Sequence, residues 1–399
     1  MDKKSQINLV KSIKSIYILE WVFSFFDEKQ KLNIIIYSKE FQNKLDVDIE
    51  TFKKISGKYK IGEKNGKGKE FRINTHQLIF EGEYENGKKN GKGKEFYNIG
   101  TLLFEGKYIS GKRWNGIEYT KYGSSEFEIK DGKGKFKEYY DNDKLKFEGE
   151  YLNGERNGKG KEYNYFNDRL DFEGEYLNGE RNGEGKEFYD DENILFEGEY
   201  IKGKRWNGKG YNKDGKIELE INNGKGKGKD YYNNGEIKFE GVYSKGERTG
   251  LGKEYNHYGE LIFEGEFLNG KRNGKGKEYN NYGKLIFEGQ YLNGKIYGEG
   301  KEYNHFGGLI FEGEYINGKR WNGKGYNKDG KIEFKLKEGI GKVKEYNYFG
   351  KLKFEGEYSN GKRKGKGKEY DDNGELNFMG EYKNEKKMEK EKKIIIKKN

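Results

Sequence analysis

Leu285-Ile286-Phe287-Glu288-Gly289-Gln290-Tyr291-Leu292, then Asn293-Gly294-Lys295, then Gly298-Glu299-Gly300-Lys301-Glu302-Tyr303, is one unit of a pattern that fills most of this chain. Phe-Glu-Gly occurs ten times, at Phe80, Phe104, Phe147, Phe172, Phe196, Phe239, Phe263, Phe287, Phe311 and Phe354, with intervals of 24, 25 or 43 residues. A worn copy follows at Phe378-Met379-Gly380. A fixed period of this size specifies a stacked array, in which each unit buries its apolar side against its neighbours.

Within the unit, Phe287, Gly289 and Tyr291 alternate and so share one face of a strand. Gly-x-Gly-Lys-Glu-aromatic is a second strand, and Asn281-Tyr282-Gly283 and its equivalents are turns. Each copy is therefore expected to be a β-hairpin, and successive hairpins to pair in one antiparallel meander. One step breaks the alternation. Phe96 follows Gly93 by three, which puts it on the opposite face unless a bulge intervenes.

The 43-residue intervals contain an extra unit of 19 residues, turned at Asp131-Gly132, Asn223-Gly224 and, more weakly, Glu338-Gly339. Arg-Trp-Asn-Gly precedes each, placing Trp114, Trp206 and Trp321 beside a shortened loop whose apolar surface they are expected to cover. A ligand role is the lesser reading of these Trp.

Composition sets limits. Of 399 residues, 31% are hydrophobic and 37% charged, too few apolar side chains for a deep aliphatic core. That balance usually means disorder, but 34 Tyr and 26 Phe in register argue for a fold. There is no Cys, hence no disulfide or thiol chemistry. Pro and Ala are absent and Lys outnumbers Arg, a pattern of A- and T-rich coding, whereas 62 Gly persist at regular positions because the backbone needs them. The net charge of +11 suits acidic partners, though most Lys are expected to face Glu across strands. The chain shows neither a signal peptide nor a run of about 20 apolar residues, so an intracellular, cytoplasmic protein is expected, alternatively at a membrane surface.

Three regions are expected. Residues 1–54 lack Gly, and Leu19, Val22, Phe23 and Phe26 recur at helical spacing. Asp27-Glu28-Lys29-Gln30 has capping-box character, a second helix runs through Leu32 to Leu45, and Asp48 caps a third. Residues 55–383 are the array. Residues 384–399 are a basic tail, expected to be disordered. The fold class is thus mainly β, an elongated single-layer antiparallel meander of hairpins with a small N-terminal three-helix segment. A parallel β-solenoid is the rival, disfavoured by the Asn-Gly and Asp-Gly turns.

Phe80-Glu81-Gly82-Glu83-Tyr84 followed by Gly91-Lys92-Gly93 resembles the MORN repeat, whose usual core is Tyr-x-Gly-x-Trp and then Gly-x-Gly. The 24-residue spacing and the Lys-Glu-Tyr ending are closer to the variant of bacterial antitoxin-like repeat proteins. The resemblance covers about four-fifths of the chain and implies a curved, single-layer scaffold, some members of which contact acidic phospholipids. Ile16 to Asp27, with Phe23-Ser24-Phe25-Phe26, resembles an F-box without its usual Pro. That resemblance implies that Leu19, Val22, Phe23 and Phe26 dock a Skp-type adaptor of a cullin ubiquitin ligase. The plain alternative is a helical cap over the first sheet edge.

No catalytic, cofactor or metal site is expected. His76, His257 and His305 lie near turns without Cys or clustered carboxylates. The run Gly224-Lys225-Gly226-Lys227-Gly228-Lys229 lacks the phosphate-loop spacing. Eight Arg share one repeat position, Arg113, Arg156, Arg181, Arg205, Arg248, Arg272, Arg320 and Arg363. They are either a row for anions or acidic lipid, or each closes its own loop onto a Glu or a carbonyl. The function expected is a non-enzymatic protein-interaction scaffold, alternatively a peripheral membrane organiser, with no specific nucleic acid as partner.

Overall fold

The structure is a computed structural model that describes residues 58–388 except 74, 141, 348, 349 and 384. The expected N-terminal helices, with Leu19, Val22, Phe23 and Phe26, lie outside the described residues, as does the tail from 389. Two compact units are formed. The described part of the first runs from 58 to 226 and takes in 231–235; the second comprises 227–230 and 236–388.

Every described element is a strand, and the ladders join strands adjacent in sequence, antiparallel. In the first unit, seven strands from Lys58–Gly62 to Ser125–Ile129 make one sheet, and pairing resumes from Gly134–Tyr139 to Ile217–Asn222. In the second, ladders run from Ile237–Ser244 to Ile332–Leu336, then from Gly341–Tyr346 to Lys386–Met388. The array was expected to stop at 383; Lys386–Met388 pairs with Leu376–Lys383 and carries it further.

The turns explain the Asn-Gly pairs. Asn293 and Gly294 both take positive φ, 51° and 84°, the mirror-image turn that matches strand twist. Asp131-Gly132 and Glu338-Gly339 adopt the same conformation, and here the ladder thins to a single bridge, Lys130 to Lys133 and Lys337 to Ile340. Turns also stack on one another. The N–H of Gly294 donates to Arg272 O at 2.8 Å, and those of Gly270 and Gly318 repeat the bond to Arg248 and Ile296. The Asn of an Asn-Gly-x-Gly segment adds a second link in several repeats: Asn273 Oδ1 accepts the N–H of Asn293 at 3.3 Å, as Asn322 does from Glu338 at 2.7 Å.

The Trp follow this logic. Pairing goes from Tyr108↔Arg113 to Lys107↔Asn115, so Trp114 is an extra residue in its strand, as are Trp206 and Trp321. Each is half-buried. A Cβ on Gly132 would stand 3.0 Å from the Trp114 ring, and one on Gly339 would stand 2.9 Å from Trp321. In these two repeats the indole lies against the shortened turn.

The core is a file of aromatics on one face. Phe172 meets Tyr176 of its own strand edge-on at 5.8 Å and Tyr200 of the next hairpin at 5.2 Å; Phe263 meets Phe267 at 5.3 Å and Tyr291 at 5.1 Å. The Phe are fully buried: Phe80, Phe104, Phe147, Phe172, Phe196, Phe239, Phe263, Phe311 and Phe354 are all 0% exposed. Edge-to-face pairs add ~0.5–1.5 kcal/mol each to their burial. A chain poor in aliphatics therefore folds by repeating one aromatic contact.

The two glycines of Gly-x-Gly do different work. Gly274, φ +81°, sits in a bulge whose next N–H, that of Lys275, is held by the Glu266 carboxylate at 3.1 Å. Gly185 represents the other: Phe172 covers it, and a Cβ there would lie 2.5 Å from Phe172 Cζ.

The odd step at Phe96 also resolves. A bulge is present, but its extra residue is Leu103 on the neighbouring strand, between Glu95↔Phe104 and Phe96↔Leu102. The aromatics that close Lys-Glu-aromatic therefore stay opposite the Phe file, and both faces carry aromatics.

Candidate functional site

On the core face, each of the eight Arg lies over the Phe nine residues before it. Arg156 and Arg181 stand 3.9 Å from the rings of Phe147 and Phe172, and Arg320 stands 4.9 Å from Phe311. The guanidinium then reaches carboxylates on both sides. Arg156 donates Nε and Nη2 to Glu138 at 2.8 Å each and Nη1 to Glu162 at 3.0 Å. Arg181 takes the other oxygen of Glu162 and lies 3.9 Å from Glu187, which Arg205 holds through Nε at 2.7 Å and Nη2 at 2.8 Å. The second unit repeats this with Arg248, Glu254, Arg272 and Glu278. Arg320 holds Glu302, and Arg363 holds Glu345 and Glu369.

Within each unit, Arg and Glu thus alternate over buried rings. Burial works against the Arg156 charge, but Glu138 more than restores it and holds the guanidinium above its usual range. Burial likewise opposes the Glu187 charge, and Arg205 and Arg181 win, lowering its carboxyl to about 2. Two rungs were missed in the sequence. Lys89 and Lys387 occupy the Arg position and pair with Glu95 and Glu369, at 3.1 and 2.5 Å.

Glu118 stands apart. It is the ladder carboxylate of its Trp-containing repeat, where the other two such repeats carry Gly210 and Gly325, and it is 0% exposed. It accepts Arg113 Nη1 at 2.7 Å and the Lys137 N–H at 3.1 Å, across the thinned ladder at Asp131-Gly132. Burial pushes its carboxyl up to about 7, with Arg113 opposing only in part. The folded value lies above the unfolded one, so this contribution to stability is complete below the unfolded pKa and is lost as pH rises through about 7. Urea denaturation is expected to show the first unit losing about 2 kcal/mol between pH 5.5 and 8.5. Glu118→Gln should flatten that slope.

The opposite face is built differently. Cross-strand Glu–Lys pairs recur there: Glu81 with Lys69 at 3.2 Å, Glu105 with Lys94 at 3.0 Å, and Glu355 with Lys368 at 2.8 Å. The displaced tyrosines join them. Tyr163, Tyr279 and Tyr303 each donate to a Glu of this face, Glu148, Glu264 and Glu288, at 2.6 Å. Between the charges run the bare glycines of Phe-Glu-Gly and Gly-x-Gly. In the second unit they floor a groove of about 870 Å³, with Glu264, Lys277, Glu288 and Lys301 among its walls. The first unit has a groove of the same make-up, about 570 Å³, walled by Lys161, Glu173, Lys186 and Glu197.

The histidines do not converge. His76 Nδ1 pairs with the Tyr59 hydroxyl at 3.0 Å, and His305 Nδ1 with Asn280 Nδ2 at 2.9 Å. Among the described residues no group of His, Asp and Glu is placed to hold a metal ion, and no helix is long and apolar enough to cross a membrane.

No curated protein matches the chain. Among solved structures, a chain of "Crystal Structure of TcdB2-TccC3-Cdc42" aligns over 72% of this chain and 15% of its own length, at 9% identity and a TM-score of 0.14, too low to bear on the fold. The profile of the MORN repeat matches residues 80–102, 147–164, 172–194, 239–256, 263–284 and 354–375. Each match opens on the Phe of a Phe-Glu-Gly strand, and the chain carries MORN repeats at these six positions.

Proposed function

We propose that the protein is a non-enzymatic interaction scaffold and that it binds protein through the Glu–Lys–Tyr face. The observation that carries this reading is the division of labour between the faces. The core face is consumed by Phe, Tyr, Arg and Glu that hold the array together. The other face offers a glycine-floored groove with equal numbers of Lys and Glu in its walls, five of each in the second unit. A balanced, alternating charge pattern gives orientation and selectivity to a protein partner rather than general attraction to polyanions.

Capture from a eukaryotic lysate tests it. The bait is the full chain, set beside a variant in which Glu264, Lys277, Glu288 and Lys301 exchange charge as Glu264→Lys, Lys277→Glu, Glu288→Lys and Lys301→Glu. The swap preserves cross-strand attraction within the block and sets like charges together only at its ends, against Lys253 and Glu312; with an unchanged circular dichroism spectrum, partners held by the face should be lost, and identical capture by both would remove the proposal. A finer reading rests on the F-box resemblance alone: Leu19, Val22, Phe23 and Phe26 would link the captured partner to a Skp-type adaptor in the cytoplasm. With a further bait that lacks residues 1–54, adaptor retained only by chains that keep those residues supports it, and its absence from every bait leaves them a cap. The peripheral-membrane reading through the Arg row fits less well, because those guanidinium groups are already shared between carboxylates.

A further inference from the structure

Three consecutive hairpins of the second unit carry an aromatic ring at the tip of the same turn. Tyr258 is 82% exposed, Tyr282 74% and Phe306 78%. Backbone closure of the turn does not require these rings. Each turn is closed by its Asn: Asn256, Asn280 and Asn304 accept the N–H of Tyr258, Tyr282 and Phe306 at 2.9 Å each. Turns with Asp at the tip close the same way, Asn212 with Asp214 and Asn327 with Asp329, both at 3.1 Å. Polar residues are what such turns favour. The tips before and after the aromatic block are Asn234 and Asp329, so the row begins and ends sharply. Exposed aromatics grouped in this way mark a contact surface.

The spacing narrows the partner. Successive hairpins are two strands apart, so the rings recur about every 9.6 Å. A polyproline II helix has three residues per turn and rises 3.1 Å per residue, so one side presents a residue about every 9.3 Å. An extended strand repeats on one face at about 6.8 Å and falls out of step by the second ring. Proline rings stack on exposed aromatics, and the stiff helix has little conformational freedom to lose. We propose that Tyr258, Tyr282 and Phe306 form a docking row for a proline-rich polyproline II segment of a partner protein, with a proline at every third residue. This chain contains no Pro, so it cannot supply the segment itself. The row lies on turn tips and goes beyond the groove reading; the charge swap described above leaves it intact.

The test is fluorescence anisotropy of labelled decaproline titrated with the full chain, beside a Gly-Ser decapeptide and a leucine heptad-repeat peptide. The variant is Tyr258→Asn/Tyr282→Asn/Phe306→Asn, which installs the residue already present at Asn234 and Asn373. Circular dichroism should be unchanged. Decaproline is expected to bind the parent chain at least about tenfold more tightly than it binds the variant, and more tightly than the Gly-Ser peptide binds the parent. Equal binding to parent and variant, or no binding of decaproline to the parent, overturns the proposal. Preference for the heptad peptide also overturns it and assigns the row to a helical partner.

Discussion

Gly185→Ala is expected to destabilise its part of the array by about 3 kcal/mol, although it adds one methyl group to a backbone conformation open to any residue. The new Cβ would lie 2.5 Å from Phe172 Cζ, 2.7 Å from Cε2 and 3.2 Å from Tyr200 Cε2. The Phe172 ring cannot retreat. Arg181 lies 3.9 Å above it, and Tyr176 and Tyr200 meet it edge-on at 5.8 and 5.2 Å. Overpacking of a closed site costs ~1–3 kcal/mol, toward the upper end where no neighbour can move. The control is Gly203→Asn, at a turn with φ +77° and nothing within 4 Å of the added atom, which should cost about 1 kcal/mol or less. Urea denaturation of both variants checks this. Equal losses would mean that ring coverage does not explain the second glycine of Gly-x-Gly. Because each hairpin touches mainly its neighbours, the Gly185 defect should also appear as faster local hydrogen exchange in the strands flanking it.

The alternation of Phe287, Gly289 and Tyr291 made the core face legible, because side-chain direction in a strand has period two. The turns were legible for an equally local reason, since Asn-Gly takes positive φ at little cost. Phe96 marks where this kind of reading stops. Its odd step announced an irregularity, but which strand holds the extra residue depends on pairing, and Leu103 lies on the other strand. The Arg ladder was further out of reach. The partners of Arg156 are Glu138 and Glu162, 18 residues before and 6 after, and only the register of three strands brings them together. Lys89 and Lys387 were missed because Lys is abundant everywhere, and a ladder rung looks like any solvated charge. The groove was invisible for the opposite reason: glycine records no contact in sequence, and its floor exists only because two glycine positions pair, as Gly289 does with Gly300.

Arg113→Met is expected to cost about 3–4 kcal/mol at pH 9, the largest single effect in the ladder, and clearly less at pH 5.5. Methionine keeps apolar cover on Phe104, over which Arg113 stands at 4.7 Å, so the loss isolates the charge. Arg113 serves two carboxylates, Glu95 through Nε at 3.1 Å and through Nη2, and Glu118 through Nη1 at 2.7 Å. They fare differently without it. Glu95 retains Lys89 at 3.1 Å. Glu118, fully buried, keeps only the Lys137 N–H. An ionised carboxylate in that position is an uncompensated buried charge, the case in which breaking a pair costs most. Its carboxyl already sits up at about 7 because burial outweighs Arg113, and removing Arg113 raises it further. At pH 5.5 it is therefore neutral with or without Arg113, and the difference between the two proteins shrinks; above pH 7 the penalty grows by about 1.4 kcal/mol per pH unit until the raised carboxyl of the variant ionises as well. The variant Arg113→Met/Glu118→Gln should recover at least half of the loss at pH 9 and show little dependence on pH. A penalty for Arg113→Met that is the same at both pH values would mean that Glu118 is already charged at pH 5.5. The junction at Asp131-Gly132 would then be held by an ordinary ion pair rather than by a carboxyl that titrates near neutrality.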